Sequence, residues 1–94
     1  MTAHRQDHQL QRAVCSVLRA IRKEAGFTQK QLSERTGTHR ANIARAEQAW
    51  QLPSIVWVND MCRACRVNPP LFWTRVYSAY WAAQSSSETT SSAG

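Results

Sequence analysis

The chain has 94 residues, enough for one domain and too few for two. An apolar share of 43% excludes a fully disordered polymer, while 12 Lys and Arg against 6 Asp and Glu leave a net charge of +6. That excess on a small domain points to an anionic partner, most often nucleic acid; the alternative is charge that serves solubility alone.

Residues 1–9 are polar and carry no apolar period, so a flexible N-terminal arm or a frayed helix start is expected there. The opening MTAHRQDHQLQR also lacks the apolar core of a secretory signal. From Leu10 the apolar positions are Leu10, Val14, Val17, Leu18, Ile21 and Ala25. Their spacing of 4, 3, 1, 3 and 4 predicts one buried face of a first helix. Gly26 ends it as a left-handed cap, where the missing Cβ removes a steric cost.

Thr28 and Gln31 make a T-x-x-Q capping box, so a second helix is predicted from Gln29 to about Thr36, with Leu32 inward. Gly37 supplies a turn. His39 or Thr38 caps a third helix from Arg40 to about Gln48, with Ile43 and Ala46 inward. AWQLP reads as a loop. Ser54 caps a fourth helix, Ile55 to Cys65, whose inward residues are Ile55, Val58, Met61, Cys62 and Cys65. Asn68 caps a fifth, because Pro69 at the first helical position needs no N–H partner. It runs through LFWTRVYSAYWAA to about Ala83, and the Ser/Thr-rich residues 85–94 are expected to be disordered. No strand pattern is present. The expected architecture is all-α: one five-helix helix-turn-helix domain over residues 10–84.

No run approaches the ~18–20 apolar residues of a membrane-spanning helix. Three cysteines, an odd number outside any loop framework, suggest a reduced, cytoplasmic setting. Cys62 and Cys65 form a C-x-x-C on the inward stripe of the fourth helix. They read as core packing ahead of zinc or redox chemistry, since neither further ligands at suitable spacing nor a preceding strand is found. No catalytic constellation and no Gly-rich phosphate loop appear, so no enzyme activity, cofactor or metal is expected.

A short helix, a Gly turn and a second short helix match the DNA-binding helix-turn-helix. The residues Ile21-Arg22, Gly26, Phe27-Thr28-Gln29, Leu32-Ser33, Gly37-Thr38-His39, Ile43 and Glu47 go further. Over roughly residues 14–73 the chain resembles the Cro/repressor-type (XRE-type) helix-turn-helix family, and so a lambda-repressor-like fold. The start of the second helix, at Thr28 and Gln29, points free N–H groups outward, which suits a phosphate. In that family the Gln29 side chain looks like a backbone clamp, the alternative being a simple helix-start residue. The resemblance also implies an interior ion pair between Arg22 and Glu47, a scaffold and not a catalytic device.

The third helix carries Arg40, Ala41, Ala44 and Arg45 on one outward stripe, opposite Ile43 and Ala46. Arg40 suits bidentate recognition of guanine, and Asn42 suits adenine or a phosphate. Ala41 lets the helix sit deep against a thymine methyl, and Arg45 reaches a base or the backbone one turn on. His39 stands where a phosphate contact is an even alternative to capping. The following loop departs from the family in having no positive charge; contact there would fall to Gln48, to backbone N–H groups or to the Trp50 indole. Arg66 replaces a frequent Gly, a change expected to cost little.

Phe72, Trp73, Val76, Tyr77, Tyr80 and Trp81 give the fifth helix a broad apolar face. Val76, Tyr77, Tyr80 and Trp81 are expected to form a dimer interface, the alternative being a return onto the first helix that extends the core. A dimer would set two reading helices about 34 Å apart on a pseudo-palindromic operator. The expected function is a sequence-specific transcriptional regulator, a repressor acting as a homodimer on double-stranded DNA in the cytoplasm. The alternative is a protein-interaction module, such as an antitoxin or phage accessory protein, whose aromatic helix holds a protein partner.

Overall fold

Helical periodicity without strand patterning yields five helices: α1 (Thr2–Glu24), α2 (Gln29–Thr36), α3 (Arg40–Glu47), α4 (Ile55–Ala64) and α5 (Pro69–Ala93). This computed structural model describes the backbone of residues 2–49 and 52–93, and the side chains of residues 8–49 and 52–84. The fold is all-α, as expected. Two helices run further than apolar period alone predicts: α1 starts at Thr2 instead of near Leu10, and α5 continues past Ala83 to Ala93. The segments expected as a flexible arm or frayed helix start and as a disordered tail thus carry helical backbone. No Gly or Pro lies within residues 2–25 or 71–93 to interrupt either helix.

The helix ends are built locally. Gly26 (φ 82°) closes α1: Phe27 N–H donates to Arg22 O and Gly26 N–H to Lys23 O, the paired bonds of a Schellman cap. Thr28 Oγ1 accepts from Gln31 N–H at 3.0 Å, and Gln31 Oε1 accepts from Thr28 N–H at 2.9 Å, completing the expected capping box of α2. Gly37 (φ 75°) ends α2 and donates to Ser33 O. His39 occupies the N-cap position of α3 but makes no side-chain capping bond. Ser54 caps α4 by accepting from Trp57 N–H.

The C-terminal cap of α4 repeats the Schellman pattern, with Val67 N–H donating to Cys62 O, yet the left-handed position is held by Arg66 (φ 61°). A side chain in that conformation carries a cost of about 1–2 kcal/mol, so the substitution is less neutral than the sequence alone suggests.

Ile21, Ile43, Val58, Met61, Phe72 and Val76 fill the centre of the core, each with 2% exposure or less. Leu32 and Ala46 close its α2 and α3 sides. Two expected core residues lie outside it. Ile55 is 66% exposed because it opens α4 before the helix reaches the core, and Ala25 is exposed in the cap after α1. α5 runs antiparallel to α1, held by Arg75–Glu24 near one end and by Gln84–Gln9 near the other.

That packing divides the aromatic face. Val76 is fully buried in the chain's own core and Tyr80 packs against it, so neither stands free as part of an intermolecular surface. Positions 72, 76 and 80 fall four apart on the side turned to α1; Tyr77 (48% exposed) and Trp81 (61% exposed) point away from it. Of the four residues expected to pair two copies, Val76 and Tyr80 extend the chain's own core, while Tyr77 and Trp81 remain exposed.

A charged pair is buried inside this fold, with the Arg22 and Glu47 side chains 9% and 5% exposed. Arg22 (8% exposed) donates from Nε to Glu47 Oε2 at 2.7 Å and from Nη2 to Glu47 Oε1 at 2.9 Å. Its Nη1 donates to Phe27 O at 2.8 Å. Arg22→Ala should cost about 3–5 kcal/mol in urea denaturation, since it strands a buried carboxylate. Arg66→Gly should raise stability by about 0.5–1 kcal/mol by the same measurement, the relieved strain outweighing the added chain entropy.

Candidate nucleic-acid interface

α2, the turn at Gly37–His39 and α3 form a helix-turn-helix. Ile43 and Ala46 anchor α3 inward, which leaves Arg40, Ala41, Asn42 and Arg45 exposed on its outer side. Ala44 is half-buried, so it sits at the edge of this stripe and not on its crest. Arg40 and Arg45 enter no ion pair among the described residues, which leaves each guanidinium free to meet an external acceptor. Asn42 and Arg45 also line an open groove of about 260 Å³ together with Pro53, Ser54 and Trp57 at the start of α4.

The expected backbone-contact residues fall around this stripe in different states. The Thr28 hydroxyl is engaged in its capping bond. Gln29 is half-buried, and its Nε2 donates to Glu47 Oε1 at 3.1 Å, joining the interior pair. His39 and Gln48 are exposed at the two ends of α3. Trp50 lies outside the described residues. The Arg22–Glu47 pair stands as expected, and its Glu47 hydrogen bond raises the Arg22 pKa above its ordinary value against the opposing effect of burial.

Three features escape a reading by residue type. Gln11 on α1 donates to Ala49 O at 2.9 Å and so braces the turn after α3, where Ala49 adopts φ 62°. A single Gln beside a helix's apolar face carries no sequence signal for such a contact. Trp57 faces the groove beside Arg45, although only the cap residue Ser54 was legible there. Arg35 stacks over the Phe27 ring at 5.4 Å, which ties up one cation of α2.

A family model described as a helix-turn-helix domain matches residues 16–72, more than half of the chain. The chain belongs to the helix-turn-helix domain family, and the match is consistent with the Cro/repressor type that its residues resemble. Membership points to a DNA-binding regulator in a family that is typically non-enzymatic. A comparison with curated proteins finds no match. No described helix is long and apolar enough to cross a membrane.

Cys15, Cys62 and Cys65 are all free and buried. Burial pushes the Cys62 thiol from its ordinary value of 9.0 up to about 11, with the neighbouring Cys65 adding to the shift. This opposes the lowered thiolate pKa that redox C-x-x-C chemistry needs. An acid whose folded pKa is raised stabilises the fold fully below its unfolded value and loses that contribution as pH climbs through the folded one. Stability should therefore fall as pH rises from about 9 towards 11. A Cys62→Ala chain should show a shallower fall over that window in denaturation titrations.

Proposed function

We propose that this protein is a sequence-specific transcriptional regulator that occupies a promoter as a homodimer and represses it. The observation that carries the reading is the exposed stripe Arg40, Ala41, Asn42 and Arg45 on a helix locked to the core by Ile43, Ala46 and Glu47. Arg40, in the first turn, is placed to read guanine O6 and N7, and Asn42 to read adenine. Ala41 is small enough for close approach to a thymine methyl. Arg45 reaches a base edge or a phosphate beside the α4 groove. Half-buried Ala44 borders the reading surface at the edge of the stripe.

Around the stripe, Gln29 and His39 meet phosphates on one flank and Gln48 on the other; Thr28 contributes through the helix terminus it caps. Occupancy alone suffices for repression, because a bound domain excludes polymerase from the same DNA. Tyr77 and Trp81 supply the apolar surface for pairing two copies, with reading helices on successive turns of one duplex face. Such a regulator works in the cytoplasm at the nucleoid.

A second reading rests on the same exposed rings. Tyr77 and Trp81 line a shallow surface groove with Pro70, Trp73, Thr74 and Ser78, and that groove suits a protein partner as well as a second copy.

Selection of bound sites from a random duplex library with the purified chain at moderate salt separates these readings. A pseudo-palindrome with half-sites about one helical turn apart is the expected result. Arg40→Ala with Arg45→Ala should then weaken binding and relax preference by about 1–3 kcal/mol at the guanine position. A library left without enrichment, bound only weakly and lost on adding salt, would reject sequence-specific reading in favour of the protein-binding role.

A further inference from the structure

The oxygen Oε1 of Glu47 accepts two hydrogen bonds, from Arg22 Nη2 at 2.9 Å and from Gln29 Nε2 at 3.1 Å. These donors lie on different helices, and the Glu47 side chain between them is only 5% exposed. Gln29 is the first residue of α2 and is half-buried. One of its two amide N–H groups is therefore spent on the interior, and its rotamer is held before any partner arrives.

We infer that Glu47 is a positioning residue for DNA: its carboxylate aims the Gln29 carboxamide so that the second N–H meets a backbone phosphate. The inference rests on the DNA-binding reading and adds to it the group that orients the clamp. Three features of the structure support it. Glu47 closes α3, so the carboxylate that aims Gln29 belongs to the reading helix; clamp and reader then move as one unit. Arg22 forks onto the same carboxylate and neutralises it, so that a buried anion near the duplex does not repel phosphate. Arg22 Nη1 also holds Phe27 O, fixing the backbone two residues before Gln29. A glutamine held in this way loses little further rotamer freedom when it binds, which is preorganisation.

The test measures affinity for the duplex recovered by selection, using the full chain and three variants. Gln29→Ala should lower affinity on the order of tenfold for every sequence alike, with an unchanged salt slope, because a neutral donor releases no counterion. Arg22→Met with Glu47→Leu replaces the buried pair by apolar groups of similar size, a change that folds tolerate. It should lower affinity by a similar factor, and adding Gln29→Ala to it should cost nothing more. If Gln29→Ala keeps its full effect in that background, or has no effect in the parent, the inference is overturned.

Should the double variant fail to fold, the side-chain amide resonances of Gln29 in the unaltered chain give the answer. One proton should be shifted and slow to exchange in the free protein, and the other should shift on adding duplex. Two solvent-like amide protons together with intact DNA binding would overturn the positioning role alone. A parent chain that binds no duplex overturns the DNA reading and this inference with it, even where the shifted amide proton persists.

Discussion

The guanidinium of Arg22, forked onto both oxygens of Glu47 at 2.7 and 2.9 Å, joins α1 to the end of α3 inside the core. Burying two charges costs several kcal/mol per ion unless the geometry satisfies them. Here it does: no buried side-chain nitrogen or oxygen among the described residues lacks a partner. The net stabilisation from such a pair is small. Its consequence is directional, because any other arrangement of α3 against α1 would leave an uncompensated charge in the core. The outward aim of Arg40 and Arg45 follows from that constraint.

The pair acts together with the helix ends. Gly26 turns the chain sharply after α1, and the Phe27 carbonyl it presents is taken by the same Arg22. The capping box at Thr28 starts α2 at once, and Gly37 ends it after eight residues. Short helices of this length do not persist alone in water. α2 and α3 survive because Leu32, Ile43 and Ala46 are buried against α1 and α4. Caps set where each helix starts, packing keeps it formed, and the ion pair sets its rotation.

The antiparallel pairing of α1 and α5 settles the role of the aromatic rings. An aromatic-rich helix presents apolar atoms on more than one side, so helical spacing alone does not say which side is inside. α1 supplies the answer by covering Val76 and packing on Tyr80, which leaves Tyr77 and Trp81 outside. The exposed remainder is smaller than the sequence suggests, and a dimer built on it would rest on two large rings and their polar neighbours.

Features that depend on neighbours along the chain were legible in the residues. Capping boxes, glycine caps and helical period act over a few positions, so the five helices, the turn at Gly37 and the inward Ile43 and Ala46 could all be read there. The Arg22–Glu47 pair came through family resemblance, since 25 residues separate its members and no local rule links them. What the chain order left open were choices made between distant segments and the ends of α4. They include the burial of Val76, the exposure of Ile55, the left-handed strain at Arg66 under its cap and the capture of Gln29 by Glu47. The burial of Val76 and the capture of Gln29 turn on which helix arrives against which, a balance of burial and hydrogen bonding summed over the whole fold. Ile55 and Arg66 depend on where α4 begins and ends, which period and residue type place only to within a residue or two.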